Sequence, residues 1–148
     1  MPELPEPYLK FGLLCERVLE EKDGVLSFVR IVDRFTVMAK GTKVPAEMPP
    51  GEINLMAVMG WWGGLGKHGA KIKIIMPGGG EWESPPFTFF LDSLERGRNI
   101  IANFTLAIKQ EGLYWVEFLL NGKVKSRMPF RIFYEAVEQP AAPSKEET

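Results

Sequence analysis

The sequence holds one cysteine and one histidine in 148 residues. A single cysteine excludes a disulfide within the chain, and the two residues together cannot furnish the ligands of a zinc site. Aspartate is scarce as well, with three scattered copies, so the clustered oxygen ligands of a calcium site are missing. No metal and no cofactor is expected. There is no excess of either charge: 18 basic residues stand against 19 acidic ones, for a formal net charge of −1. A general nucleic-acid binder needs a basic surplus to neutralise phosphates, so none is expected here. No apolar run approaches the roughly 20 residues of a membrane-spanning helix. Residues 1–7 (MPELPEP) are acidic and proline-rich, the opposite of a signal peptide. The expectation is a cytoplasmic protein with no membrane contact.

What is present is an ordinary globular composition, 45% apolar and 25% charged, at a length that fits one domain. A chain of this size buries about 68–70% of its unfolded surface and needs no covalent staples. The expected domain runs from residue 8 to 137. Residues 1–7 form a proline-rich arm, and residues 138–148 (EQPAAPSKEET) a polar tail with too little apolar surface to offset ordering. Between them the apolar pattern has mainly period two, the mark of strands. Leu9, Phe11, Leu13 and Cys15 alternate onto one face. Over residues 25–38, Val25, Val29, Ile31, Phe35 and Val37 share a face, with Arg30 and Arg34 on the other. Residues 53–59 (INLMAVM) are nearly all apolar, as in a strand covered on both sides. Residues 70–76 alternate lysine with isoleucine. Residues 86–91 and 98–109 add two more strands, the latter with Ile100, Phe104, Leu106 and Ile108 in phase. A helix over residues 10–22 competes with the first strand, but Gly12 weakens it and Asp23-Gly24 fits a turn between strands.

Asn121-Gly122 supplies the sharpest local signal. It lies between two alternating runs, 113–120 and 123–134, and these two residue types tolerate the positive φ that both centres of a type I′ turn require. Tyr114, Val116, Phe118 and Leu120 fall on one face before the turn. Val124, Met128, Phe130, Ile132 and Tyr134 share a face after it. Eight short strands without a long helix predict an all-β fold, an antiparallel β-sandwich of about seven to nine strands. Glu111-Gly112-Leu113-Tyr114 points further, to an immunoglobulin-like sandwich. A tyrosine opening the penultimate strand just after a turn glycine is where a tyrosine corner sits. An ordinary amphipathic strand tyrosine is the competing reading.

Residues 13–36 (LLCERVLEEKDGVLSFVRIVDRFT) resemble the opening of a family of uncharacterised bacterial small β-sandwich domains. The matching positions are Cys15, Glu16, Val18, Gly24, Leu26, Ser27, Asp33 and Arg34, and the later GLYWVEFLLNGK…PFRI is similar to that family's ending. The resemblance covers most of residues 8–134. It implies a small β-sandwich of unknown function and brings no active site with it.

Chemistry has few candidates. His68 lies in a glycine-rich stretch, residues 60–69, and reads as a solvated loop histidine. None of the five serines lies in a nucleophile elbow, so no Ser-His-Asp triad is expected. Gly66-Lys67 fails as a phosphate loop, because Trp61 replaces the required glycine, His68 follows the lysine, and the stretch joins strands. The paired glutamates, such as Glu20-Glu21 and Glu81 with Glu83, read as solvated faces. Cys15 reads as a buried small hydrophobe, with no basic neighbour to depress its pKa. The chain is expected not to be an enzyme.

Two features suggest binding. Trp61 and Trp62 sit in the glycine-rich stretch, with Trp82 in a second one. Adjacent residues of extended chain point oppositely, so one of the pair can pack inward while the other is exposed to a partner. Packing of both over an open end of the sandwich is the competing reading. The second feature is the outer face of the last hairpin, where Trp115 and Leu119 lie beside Lys125, Arg127 and Arg131. This is either an edge defended by charge and Pro129, or a docking surface with an aromatic anchor in a cationic rim. The sequence therefore suggests an interaction or assembly module with a protein partner or a second copy. The alternative is a glycan- or small-ligand-binding sandwich that stacks its ligand on Trp61, Trp62 and Trp82.

Overall fold

A computed structural model describes residues 4–139 and contains ten strands where the periodicity suggested eight, with no helix among the described residues. They are β1 (Tyr8–Glu20), β2 (Leu26–Ile31), β3 (Arg34–Gly41), β4 (Gly51–Trp62) and β5 (Gly66–Ile75). β6 (Glu81–Glu83), β7 (Phe87–Leu91), β8 (Gly97–Ile108), β9 (Gly112–Leu120) and β10 (Lys123–Glu138) follow. One sheet has the order β2-β1-β4-β8. The other runs β3-β10-β9-β5-β6, with β7 also paired to β5. Residues from both inner faces, among them Leu14, Trp61, Ile72, Phe118 and Phe130, form one core. This is the expected β-sandwich, with one strand more than the seven to nine expected and a single departure from antiparallel pairing. β3 lies parallel to β10, so the larger sheet is mixed.

The two extra strands have local causes. The run 25–38 is not one strand, because Arg30 takes a left-handed conformation (φ 53°) and the chain changes sheets just beyond it. The Val32 N–H still donates to Leu14 O of β1, whereas Asp33 O already accepts from the Arg131 N–H of β10. Phe35 and Val37 therefore pack on the core, while Val25, Val29 and Ile31, expected on the same face, are exposed. The other addition is the three-residue β6, which pairs with the end of β5.

Extended structure over residues 8–20 settles the helix-or-strand alternative, but the expected face is divided. A register shift between Leu9 and Phe11 turns Leu9 toward the core. Phe11, Leu13 and Cys15 then pair with Gly60, Val58 and Met56 on the outer face, while Leu14 faces inward and is fully buried. β1 leaves β4 after the Cys15–Met56 pair and continues with β2 as a two-stranded ribbon.

The last hairpin has the expected turn, with φ of 49° at Asn121 and 83° at Gly122. The tyrosine corner is also present: the buried Tyr114 hydroxyl donates to Gln110 O at 2.6 Å, and its ring stacks on Phe130. A second register shift between Val124 and Ser126 leaves Val124 exposed, out of phase with Phe130 and Ile132. The proline-rich arm is docked where it is described. Pro7 is buried, Pro5 O accepts the Leu65 N–H, and Glu6 pairs with Lys125 at 3.2 Å. Most of the expected tail, residues 140–148, lies outside the described residues.

Candidate interaction surface

Alternation along β9 sends Tyr114, Val116 and Phe118 into the core and Leu113, Trp115, Glu117 and Leu119 to the outer face of the larger sheet. The cross-strand register then assembles a patch. Trp115 lies between Ile75 of β5 and Pro129 of β10, and Glu117 lies between Lys73 and Arg127. The Arg127 guanidinium carbon sits 4.2 Å from the centroid of the half-buried Trp115 ring. The same group makes an ion pair with Glu117 at 3.6 Å, whose side chain keeps only 13% of its surface exposed. An indole held under a guanidinium that a carboxylate holds in turn is a largely immobilised anchor. Leu113 and Phe133 are exposed nearby, at 40% and 41%, and the Arg131 guanidinium lies over the Phe133 ring.

The rim differs from the expected cationic one. Lys71 and Lys73 are paired with Glu83 and Glu81 of β6 at 3.6 and 3.2 Å. Lys125 is engaged by Glu6 of the arm. What surrounds Trp115 is thus a set of cross-strand ion pairs with apolar residues between them, and Arg127 and Arg131 remain as its exposed cations.

The other expected binding residues are dispersed. Trp61 and Trp62 are the last residues of β4, and β5 starts at Gly66, so the loop between them is only residues 63–65. Trp61 is 1% exposed, stacks on Phe89, and its indole N–H has no hydrogen-bond partner among the described residues. An exposed role for it is excluded. Trp62 points to the opposite face of the smaller sheet, half-buried, with the Lys10 ammonium 5.1 Å from its ring centroid. Trp82 belongs to β6 and stacks on Phe104 of β8 at 4.4 Å, closing one flank of the sandwich. The three indoles share no groove.

His68 is not a solvated loop residue. It lies on β5, 6% exposed, and its Nε2–H donates to Leu65 O at 2.8 Å. That fixes Nδ1 as the acceptor of the Asn121 Nδ2–H at 3.0 Å, while Asn121 Oδ1 accepts the Gly69 N–H. Both ring nitrogens are committed to structure. Cys15 is 3% exposed as expected, and burial pushes its thiol pKa up, away from the reactive thiolate.

Sequence reasoning missed a cleft of about 620 Å³ where β1 departs from β4, lined by Cys15, Glu16, Phe35, Asn54, Met56 and Thr105 among others. Thr105 Oγ1 donates to Asn54 Oδ1 there at 2.7 Å. The available signal was the row of uncharged polar residues Asn99, Asn103 and Thr105 alternating with the apolar face of β8. Among the described residues no group of three or more His, Cys, Asp or Glu side chains is placed to hold a metal, and no helix is long and apolar enough to cross a membrane.

No protein-family model matches this chain, and no curated protein is significantly similar to it in sequence.

Proposed function

We propose that the protein is a non-catalytic interaction module that binds a protein partner through the outer face of its larger sheet, with Trp115 as the anchor. The observation that carries this reading is the Trp115–Arg127–Glu117 stack, an aromatic side chain already ordered before a partner arrives. Ordering in the free protein lowers the entropic cost of association, and tryptophan and arginine are the residues most often dominant at interface centres. A complementary partner would place apolar side chains over Trp115, Leu113 and Phe133 and charges of both signs against the surrounding ion pairs. Against catalysis stand the structural use of both His68 nitrogens and the burial of the one thiol. The glycan-stacking alternative loses its platform, since Trp61 is in the core and Trp62 and Trp82 lie on separate surfaces.

The test is cross-linking of the full chain in its native host, followed by calorimetry of the purified pair. Trp115→Ala should weaken that complex by about thirtyfold, or 2 kcal/mol, with little change in melting temperature. Unchanged affinity with Trp115→Ala would remove this surface from the proposal.

A further inference from the structure

A sheet edge is a row of unpaired backbone N–H and C=O groups, and proteins usually blunt it with charge, proline, bulges or brevity. Three of the four edges here are blunted. β2 has six residues and the left-handed Arg30, and β3 carries Arg34 and Lys40. The β6–β7 margin consists of a three-residue strand with two glutamates, Pro85-Pro86, and a five-residue strand. β8 is different. It is twelve residues long and ends the smaller sheet, and from Asn99 to Ile108 it carries neither charge nor proline. Among the described residues no backbone hydrogen bond reaches it from the side away from β4. Ile101 on its outer face is 44% exposed, and Phe90 and Leu94, just before it in the chain, are 67% and 55% exposed.

We infer that β8 pairs with the β8 of a second copy of this chain, antiparallel about a two-fold axis through Asn103. The absence of charge is what selects a second copy as the occupant. In an isologous contact the residue on the axis meets its own copy and the residues on either side of it meet one another, so an edge of like charges repels itself and an uncharged one does not. Paired residues must point to the same face, which puts the axis through a residue pair and not between residues. Centring it on Asn103 pairs Arg98 through Ile108 with the same stretch reversed. Ile101 then meets Thr105, Ile100 meets Leu106 and Arg98 meets Ile108, with no like charges opposed. At the axis, each Asn103 carboxamide offers one donor and one acceptor group to its copy. The two four-stranded sheets would join into one continuous sheet. This inference is independent of the Trp115 surface, which lies on the other sheet.

Sedimentation velocity of the full chain over a wide concentration range is the test, with folding of each variant checked by circular dichroism. The unmodified protein should dimerise reversibly, and hydrogen exchange should show concentration-dependent protection confined to Gly97–Ile108. Asn103→Lys and Asn103→Glu change an exposed outer-face position, and each should weaken self-association by about tenfold, because like charges then meet at the axis. An equimolar mixture of the two should recover it as a heterodimer. A protein monomeric throughout, a dimer indifferent to either variant, protection appearing elsewhere, or a mixture that fails to recover would each overturn the inference.

Discussion

The two ends of the sandwich are held by different means. At one end lie the last turn of β4, the short 63–65 loop, the Asn121-Gly122 turn and the N-terminal arm. There Asn121 bonds both His68 and the Gly69 N–H, Glu6 reaches Asn121 and Lys125, and Pro5 accepts from Leu65. At the other end the bonds are separate: the Tyr114 hydroxyl fixes the corner, the Tyr134 hydroxyl donates to Pro45 O and the Tyr134 N–H to Glu111, beside a cleft of about 490 Å³ between the 76–81 turn and Gln110. The glycine-rich end, which composition marks as mobile, is the more heavily tied. Its glycines serve close approach: Gly64 (φ 82°) faces the backbone of the docked arm, and a Cβ on Gly97 would lie 2.6 Å from Trp61 O. A count of glycines does not distinguish flexibility from backbone contact, and here the neighbours decide for contact.

If that contrast is right, damage at the two ends differs in size. Trp61→Ala should cost about 3–5 kcal/mol of folding stability, read by denaturant unfolding, because it empties a fully buried site against Phe89. A cost under about 1 kcal/mol would mean that this end is loosely packed after all. Asn121→Ala comes next, at about 2–4 kcal/mol. It combines the left-handed φ of 49°, which alanine resists, with the loss of the partner to a buried imidazole. Asn121→Gly separates the two contributions, since glycine accepts the backbone conformation and still abandons His68. At the opposite end Tyr114→Phe should cost only about 1 kcal/mol, the worth of one hydrogen bond whose acceptor residue, Gln110, is exposed to water. A larger loss there would make the tyrosine corner the equal of the polar network.

Much of this architecture was legible in particular residues. Asn121-Gly122 located its turn because few residue types take positive φ in succession. Tyr114 located its corner because the neighbouring glycine and the alternation of β9 left it one place to point. Cys15 was rightly read as buried, yet on the wrong face, since one bulged residue at Lys10 inverts every side chain beyond it. The sheet change after Arg30 was invisible for a related reason: a single left-handed residue redirects a strand without altering its composition. For the candidate surface, Trp115 and Arg127 were found by period two alone. The partners that neutralise Lys71, Lys73 and Lys125 come from β6 and the arm, and pairing between distant segments leaves no local pattern. The cleft beside Cys15 escaped for the same reason, because it exists only where two strands part.

The smallest expected effect tests how far the tied end depends on its arm. The Glu6 carboxylate is held below its ordinary pKa of 4.5, first by the hydrogen bond from the Asn121 amide and then by Lys125. A carboxylate with a depressed folded-state pKa stabilises the docked arm above its unfolded value, and that contribution is lost as pH falls through the folded value. Since about a third of the side chain remains exposed, water screens the pair and the loss should be local and not global. The Leu65 N–H, which donates to Pro5 O at 2.9 Å, reports on it. Its hydrogen exchange, corrected for the intrinsic effect of pH, should quicken below the ordinary carboxylate value while the β9 amides stay protected. Glu6→Gln should give the quicker rate at every pH and abolish the transition. If Leu65 exchanges alike in both proteins, the Pro5 carbonyl and the buried Pro7 hold the arm without help, and the ion pair with Lys125 is incidental to it.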